Sequence, residues 1–347
     1  MADPVTAALI ALGGVLVGLI GRDVVMALVL ARRTRQDKVK DVSESRARAR
    51  HDLVRLYADP LREAAKSLRF RLDEIIGTAQ TRYLLANTPK TNFVQYKRIS
   101  TIYRLAALLG WIRAFRRERS YLDPDDVAPV DPKTDPISRI EQALADGQHV
   151  EEQRLDELMS LWKVPKDILT EGSARSRLAG EIDAARQEFL GERTSLSASE
   201  LNADDRIKLA RRCANLITEI ATVDIPQQLV DATAAQASLF LGIKEAYVYR
   251  DWQAAVGDLM ILQISGGPRR FDVIGFGEFE DRYLRTRRAG SAERRWFDRL
   301  EKLFHDLDVT RTGMFDARRQ QIRNLHEACK ALEEYLAQRI VHLRDAT

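Results

Sequence analysis

The sequence predicts an all-α protein, built as a single N-terminal transmembrane helix followed by a bundle of long helices. Three observations predict it. The residues from Val5 to Gly21 carry no charge, and the apolar run resumes from Val24 to Ala31. Beyond that block, apolar residues recur at three- and four-residue spacing over long stretches, the period of an amphipathic helix. Alternating strand patterns are nearly absent, and glycine and proline are sparse, at 18 and 10 of 347 residues.

Residues 1–31 are expected to form the anchor. Val5 to Gly21 is 17 residues, roughly 25 Å of helix, slightly under the about 20 residues that a bilayer core asks for. Extension to Ala31 brings in Arg22 and Asp23. A charge at mid-bilayer costs about 2.5–3.5 kcal/mol, and two placements follow. In the favoured one the span ends near Val25 and Arg22 snorkels to the cytoplasmic headgroups, which avoids most of that penalty. In the other the span is longer and both charges face a protein interior. Within the span, Ala7, Ala11, Gly14, Gly18 and Gly21 are spaced four, three, four, three. They share one helix face, and small residues let helices approach closely in lipid. The ridge points to self-association into a homo-oligomer, although glycine and alanine are also common in spans.

Residues 32–50 form a basic juxtamembrane arm that includes Arg32, Arg33, Arg35, Lys38 and Lys40. The positive-inside rule places this side in the cytoplasm and the N-terminus outside. The expected location is a bacterial inner membrane. Basic residues beside an anionic leaflet each contribute about 1 kcal/mol, so anionic lipid headgroups are expected partners. The acidic character ahead of the apolar run, and the lack of a small-x-small site after it, argue against a cleaved signal peptide.

The first helical hairpin is expected over 51–122. Asp59 and Pro60 read as a helix start. Leu53, Tyr57, Leu61, Leu68, Leu72 and Ile75 continue one apolar face on either side, so a helix to about Tyr83 is expected, bent or restarted at Pro60. A second helix, from about Asn92 to Leu122, is apolar on more than one stripe and reads as central. Residues 123–136 hold four prolines and five aspartates and form the linker. The region 137–347 is expected to be helical and to pack with 51–122. Its helices are expected near Asp135–Gly147, Glu151–Lys163 and Arg175–Glu192. Ser197 and Glu200 suggest a capping box for a helix to about Val223. A long helix from about Asp231 to Ile264 is stopped by Gly266, Gly267 and Pro268. Phe271–Phe279 is the one place where a strand is conceivable, with a helix or irregular packing preferred. Helices from about Ser291 to His305 and Phe315 to Leu343 close the chain.

Composition narrows function. Charged residues are 31% and the net charge is +4, which fits neither an acidic tail nor a polycation. Cys213 and Cys329 are the only cysteines; so few, so far apart, they suit a reducing compartment and no disulfide framework or zinc knuckle. No phosphate-binding loop, dinucleotide fingerprint, zincin motif or nucleophile elbow occurs. The five histidines show no ligand spacing, and His51–Asp52 and His305–Asp306 are isolated steps. No catalytic residue, cofactor or metal is assigned, and a non-enzyme is expected. A possible anion site is Arg113, Arg116, Arg117 and Arg250. A second basic cluster, Arg285, Arg287, Arg288, Arg294 and Arg295, surrounds Gly290. Either could bind phosphates, or pair with acids on neighbouring helices. The interspersed acids argue against nucleic acid as a partner.

Three stretches carry a resemblance. They are Tyr57–Leu61 with Ala64, Ala65 and Leu68; Ser100–Tyr103 running to Gly110, Trp111 and Arg116–Glu118; and Tyr249–Arg250 with Gly257–Met260. Together they resemble an uncharacterised group of bacterial proteins with an N-terminal membrane segment and a helical cytoplasmic body. The resemblance implies fold and placement and assigns no site. The function expected is a membrane-anchored, oligomeric helical scaffold, sensor or regulatory protein. The alternatives are an oligomeric membrane effector or pore, for example in phage defence, and a receptor or enzyme for an anionic ligand.

Overall fold

A computed structural model of the chain describes residues 53–122, 135–169, 172–192, 197–289, 292–310 and 315–345. The expected span, its small-residue ridge, Arg22, Asp23, the basic arm and nearly all of the 123–136 linker lie outside these residues. Among the described residues no helix is long and apolar enough to cross a membrane.

The described chain is mostly helical. Its helices are α1 (residues 53–76), α2 (Asn92–Leu122), α3 (Pro136–Ala145), α4 (Gln148–Leu161), α5 (Gly172–Glu192), α6 (Ala203–Ala221), α7 (Gln227–Ala232), α8 (Ala234–Leu241), α9 (Arg250–Met260), α10 (Phe276–Ala289), α11 (Arg294–Phe304) and α12 (Arg318–Asp345). One antiparallel pair, β1 (Ile261–Gln263) and β2 (Phe271–Val273), sits between α9 and α10. The chain divides into two compact units, Met1–Leu56 with Glu118–Val127, and Tyr57–Arg117 with Ala128–Thr347. Of the first, only the outer ends of α1 and α2 are described. Everything below concerns the second.

In that unit α1 lies between α2 and α12. Lys97 pairs with Glu74 at 2.9 Å, and Arg104 donates to the Ser67 carbonyl at 2.7 Å. On its other side Arg69 donates to Glu333 at 2.8 Å, and His326 meets Asp73 at 2.7 Å. Tyr57, Leu61, Leu68, Leu72 and Ile75 are all 1% exposed or less. α1 runs through Pro60 without a restart, but contrary to expectation it does not reach Tyr83. A proline inside a helix costs about 3 kcal/mol, while each buried large apolar side chain returns about 1.5–3 kcal/mol; the stripe on one face outweighs the lost hydrogen bond. The helix ends instead at residue 76. Ala79 takes a left-handed φ of 50°, and the Gln80 amide donates to the Glu74 carbonyl at 3.1 Å.

Three further expectations change. Asn202, not Ser197, opens α6: its side chain accepts from the Asp205 amide at 2.9 Å. Ser197 caps only a short 3-10 turn, Ala198–Glu200. The expected helix over 231–264 is broken into α7, α8, an extended segment, α9 and β1. A Cβ on Gly242 would meet the Ser238 carbonyl oxygen at 2.9 Å and the Ser199 amide at 3.0 Å, so the chain turns there. The segment that follows is held by other parts of the fold. The Val248 amide donates to Leu144 at 2.8 Å, and Lys244 exchanges main-chain bonds with Phe315 and Ala317. Buried Gln321 donates to the carbonyls of Leu144 and Ala246, both at 3.0 Å. Phe271–Val273 forms the strand conceivable there, rather than the preferred helix or irregular packing, and α10 begins at Phe276. Gly266, at φ 83°, makes the turn between the two strands.

One apolar core joins α4, α5, α6, α7 and α8. It includes Leu155, Leu178, Leu209, Cys213, Ile217 and Val230, each fully buried.

Candidate functional site

A cleft forms where α10 and α11 face the start of α2 and the 84–90 loop. Its cavity of about 400 Å³ is lined by Lys90, Arg98, Tyr283, Arg287, Glu301 and His305, with Val94 and Ile99 as an apolar wall. A smaller hollow opens from it over Leu84, Ile102 and Phe304.

Local bonds fix this geometry. Arg98 on α2 donates to the carbonyls of Tyr83 at 2.6 Å and Leu85 at 2.7 Å, which fastens the loop to the helix. At the far end of α11, Asp306 adopts φ 53°, a left-handed conformation uncommon outside glycine. Three bonds offset that strain. The Asp306 amide donates to the Leu84 carbonyl at 2.9 Å, and its carboxylate accepts from the Ala86 amide at 3.2 Å and from Lys244 at 2.8 Å.

Glu301 sits at the centre. It accepts from the Tyr283 hydroxyl and from Arg294, and Arg287 stands 3.8 Å away. Tyr283 is 1% exposed and packs edge-on against Phe297, with its ring near-parallel to that of Phe279. Guanidinium carbons of Arg294 and Arg287 lie 5.1 and 5.8 Å from its centroid. Burial pushes the Glu301 carboxyl up to about 7, against the pull of Arg98. Burial also lowers the pKa of Arg287, helped by the charge of Arg294, and lowers that of His305. The imidazole is therefore neutral at pH 7. The result is a carboxyl able to change charge near neutral pH within a ring of cations, an arrangement associated with ligand and proton binding.

Arg113, Arg116 and Arg117 lie elsewhere, on the part of α2 that crosses α9 and α3, and carboxylates hold all three. Asp258 accepts two bonds from Arg113, at 2.6 and 3.2 Å, and pairs with Arg117 at 3.0 Å. Glu141 accepts from Arg116 at 2.6 Å. Arg250 is exposed at the start of α9. Beside the second basic cluster, Arg282 pairs with Glu293 at 3.2 Å. Arg287 and Arg294 converge instead on Glu301, which the sequence reading passed over. A signal was present. Glu301 follows Phe297 by four residues, on the face that buries Phe297, Leu300 and Phe304, so a carboxyl falls on an apolar stripe.

A third charged group is structural. Arg154 is fully buried and donates to Asp183 at 2.8 Å and to the Ile243 carbonyl at 3.1 Å, and pairs with Glu245 at 2.8 Å. Arg186 completes the group, at 2.7 Å from Asp183 and 2.8 Å from Glu245. Two cations and two anions cancel, and they tie α4 and α5 to the segment after α8.

Other chemistry finds little support among the described residues. No group of three or more His, Cys, Asp or Glu is arranged to hold a metal ion. Both cysteines are buried, and burial pushes the Cys213 thiol up to about 12 and raises that of Cys329 as well. A thiol so shifted is almost wholly protonated at pH 7 and a poor nucleophile.

The fold and site thus define a mostly helical body with a cationic cleft built around a half-buried glutamate. No known protein family, curated protein or solved structure matches the chain.

Proposed function

We propose that this chain is a membrane-anchored helical protein that works by association, as an oligomeric scaffold, sensor or regulator at the cytoplasmic face. The observation that carries the reading is the uncharged run from Val5 to Gly21, followed by the basic residues Arg32 to Lys40. A run of this length and composition is solvated best by lipid, and the charge asymmetry sets its orientation. The small-residue ridge from Ala7 to Gly21 supplies the contact between spans. The mostly helical body is consistent with this reading. So is the pairing of Arg113, Arg116 and Arg117 with acids of the same unit, which leaves that cluster as a packing device. Native mass of the full-length protein in detergent tests it. An oligomer that Gly14→Leu and Gly18→Leu dissociate is expected. A strict monomer that captures no partner contradicts it.

A further inference from the structure

We infer that the cleft between α2, α10 and α11 binds a small organic phosphate. Its anionic group lies among Lys90, Arg98 and Arg287, and its apolar or planar body lies along Val94 and Ile99. The inference goes beyond the proposed function and does not depend on the membrane anchor.

Charge accounting leads to it. Arg294 is balanced by Asp298 at 2.8 Å. Asp306 is held by Lys244 at 2.8 Å. That leaves Glu301 as the one lining carboxyl facing Lys90, Arg98 and Arg287. With His305 neutral, the walls carry about two more positive charges than negative, the complement of a phosphate dianion. Arg98 donates to the neutral carbonyls of Tyr83 and Leu85, which leave its charge uncancelled. Arg287 has just the loose approach to Glu301, and the neighbouring Arg294 charge disfavours its ionised form. A bound dianion would relieve that crowding.

The size and lining of the cleft also fit a ligand. The cavity of about 400 Å³ falls in the range of small-molecule sites, which combine apolar walls with a few placed polar groups. Forked guanidinium donors suit phosphate oxygens. A free phosphorylated metabolite and a lipid headgroup share this chemistry.

Calorimetric titration of the full-length protein separates them, with adenosine monophosphate and dihexanoyl phosphatidate as the two probes. At least one should saturate the protein. Arg287→Ala and Lys90→Ala should each weaken binding about tenfold, the loss of one charge-assisted hydrogen bond. Arg287→Lys should lose less than Arg287→Ala. Arg250→Ala, outside the cleft, should bind as the parent does. Both cleft side chains are exposed, so the variants should keep the parent melting temperature, which is measured alongside. Saturation by the nucleotide assigns a free organic phosphate; saturation by the phosphatidate alone assigns a headgroup. No binding of either probe at millimolar concentration, or binding that both alanine variants leave intact, overturns the inference.

Discussion

A β-carbon added to Gly257 of α9 would lie 2.7 Å from the β-carbon of Arg113 on α2. The two helices cross at near backbone contact. The same added atom would meet the Leu109 carbonyl oxygen at 2.9 Å, and one added to Gly110 would meet the Met260 β-carbon at 2.8 Å. The crossing therefore has no room for even a methyl group. Arg113 and Arg117 close over it by pairing with Asp258.

Gly257→Ala should destabilise the protein by about 1–3 kcal/mol, because overpacking against main chain outweighs the helical preference of alanine. Gly180, in α5, has open space where a Cβ would go. There the same change should stabilise by about 0.5–1 kcal/mol. Thermal or urea denaturation measures both. Equal effects at the two sites would refute the close crossing.

The ion pairs should separate by burial. Arg154→Ala leaves two carboxylates facing Arg186 alone in the interior and should cost about 3–5 kcal/mol. Arg113→Ala removes a pair in which both side chains are about a third exposed, and should cost under about 1 kcal/mol. Denaturation midpoints of the two variants check the ranking; a larger loss at Arg113 contradicts it.

Glu301 sets a pH dependence. Its folded pKa, about 7, lies above the ordinary 4.5, so the folded state binds the proton more tightly. The stability this confers is fully present below pH 4.5 and is lost as pH rises through 7. The total is up to about 3 kcal/mol. Glu301→Gln removes the titration and keeps a hydrogen-bonding group. Melting temperatures from pH 4 to 8 should show the parent falling relative to the variant between 4.5 and 7, then holding level. A parent that gains on the variant over that range would mean the arginines keep Glu301 ionised.

Much of the helical content was legible because it rests on local pattern. The α2 range, a helix near Asp135–Gly147 and the helix α12 follow from spacing and end residues alone. What failed was set by distant contacts. The break at Gly242 depends on Ser197–Ser199 lying against it, and the strand at Phe271 exists only through its pairing with Ile261–Gln263. Pro60 left two outcomes open, a bend or a restart, because its local signal does not weigh the burial of the whole helix face, along which α1 stays continuous. The cleft was half legible. Arg287 and Arg294 stood out as a basic cluster. The convergence with Arg98 and Lys90, some 190 residues earlier in the chain, is a product of the tertiary fold.

The most direct test of the proposed membrane attachment is sedimentation of the tagged full-length chain after an alkaline carbonate wash of broken cells. The protein should remain in the membrane pellet, and replacing Leu16 and Val17 with arginine should release it. Recovery of the unaltered chain in the supernatant would contradict membrane attachment, orientation and span-driven association together.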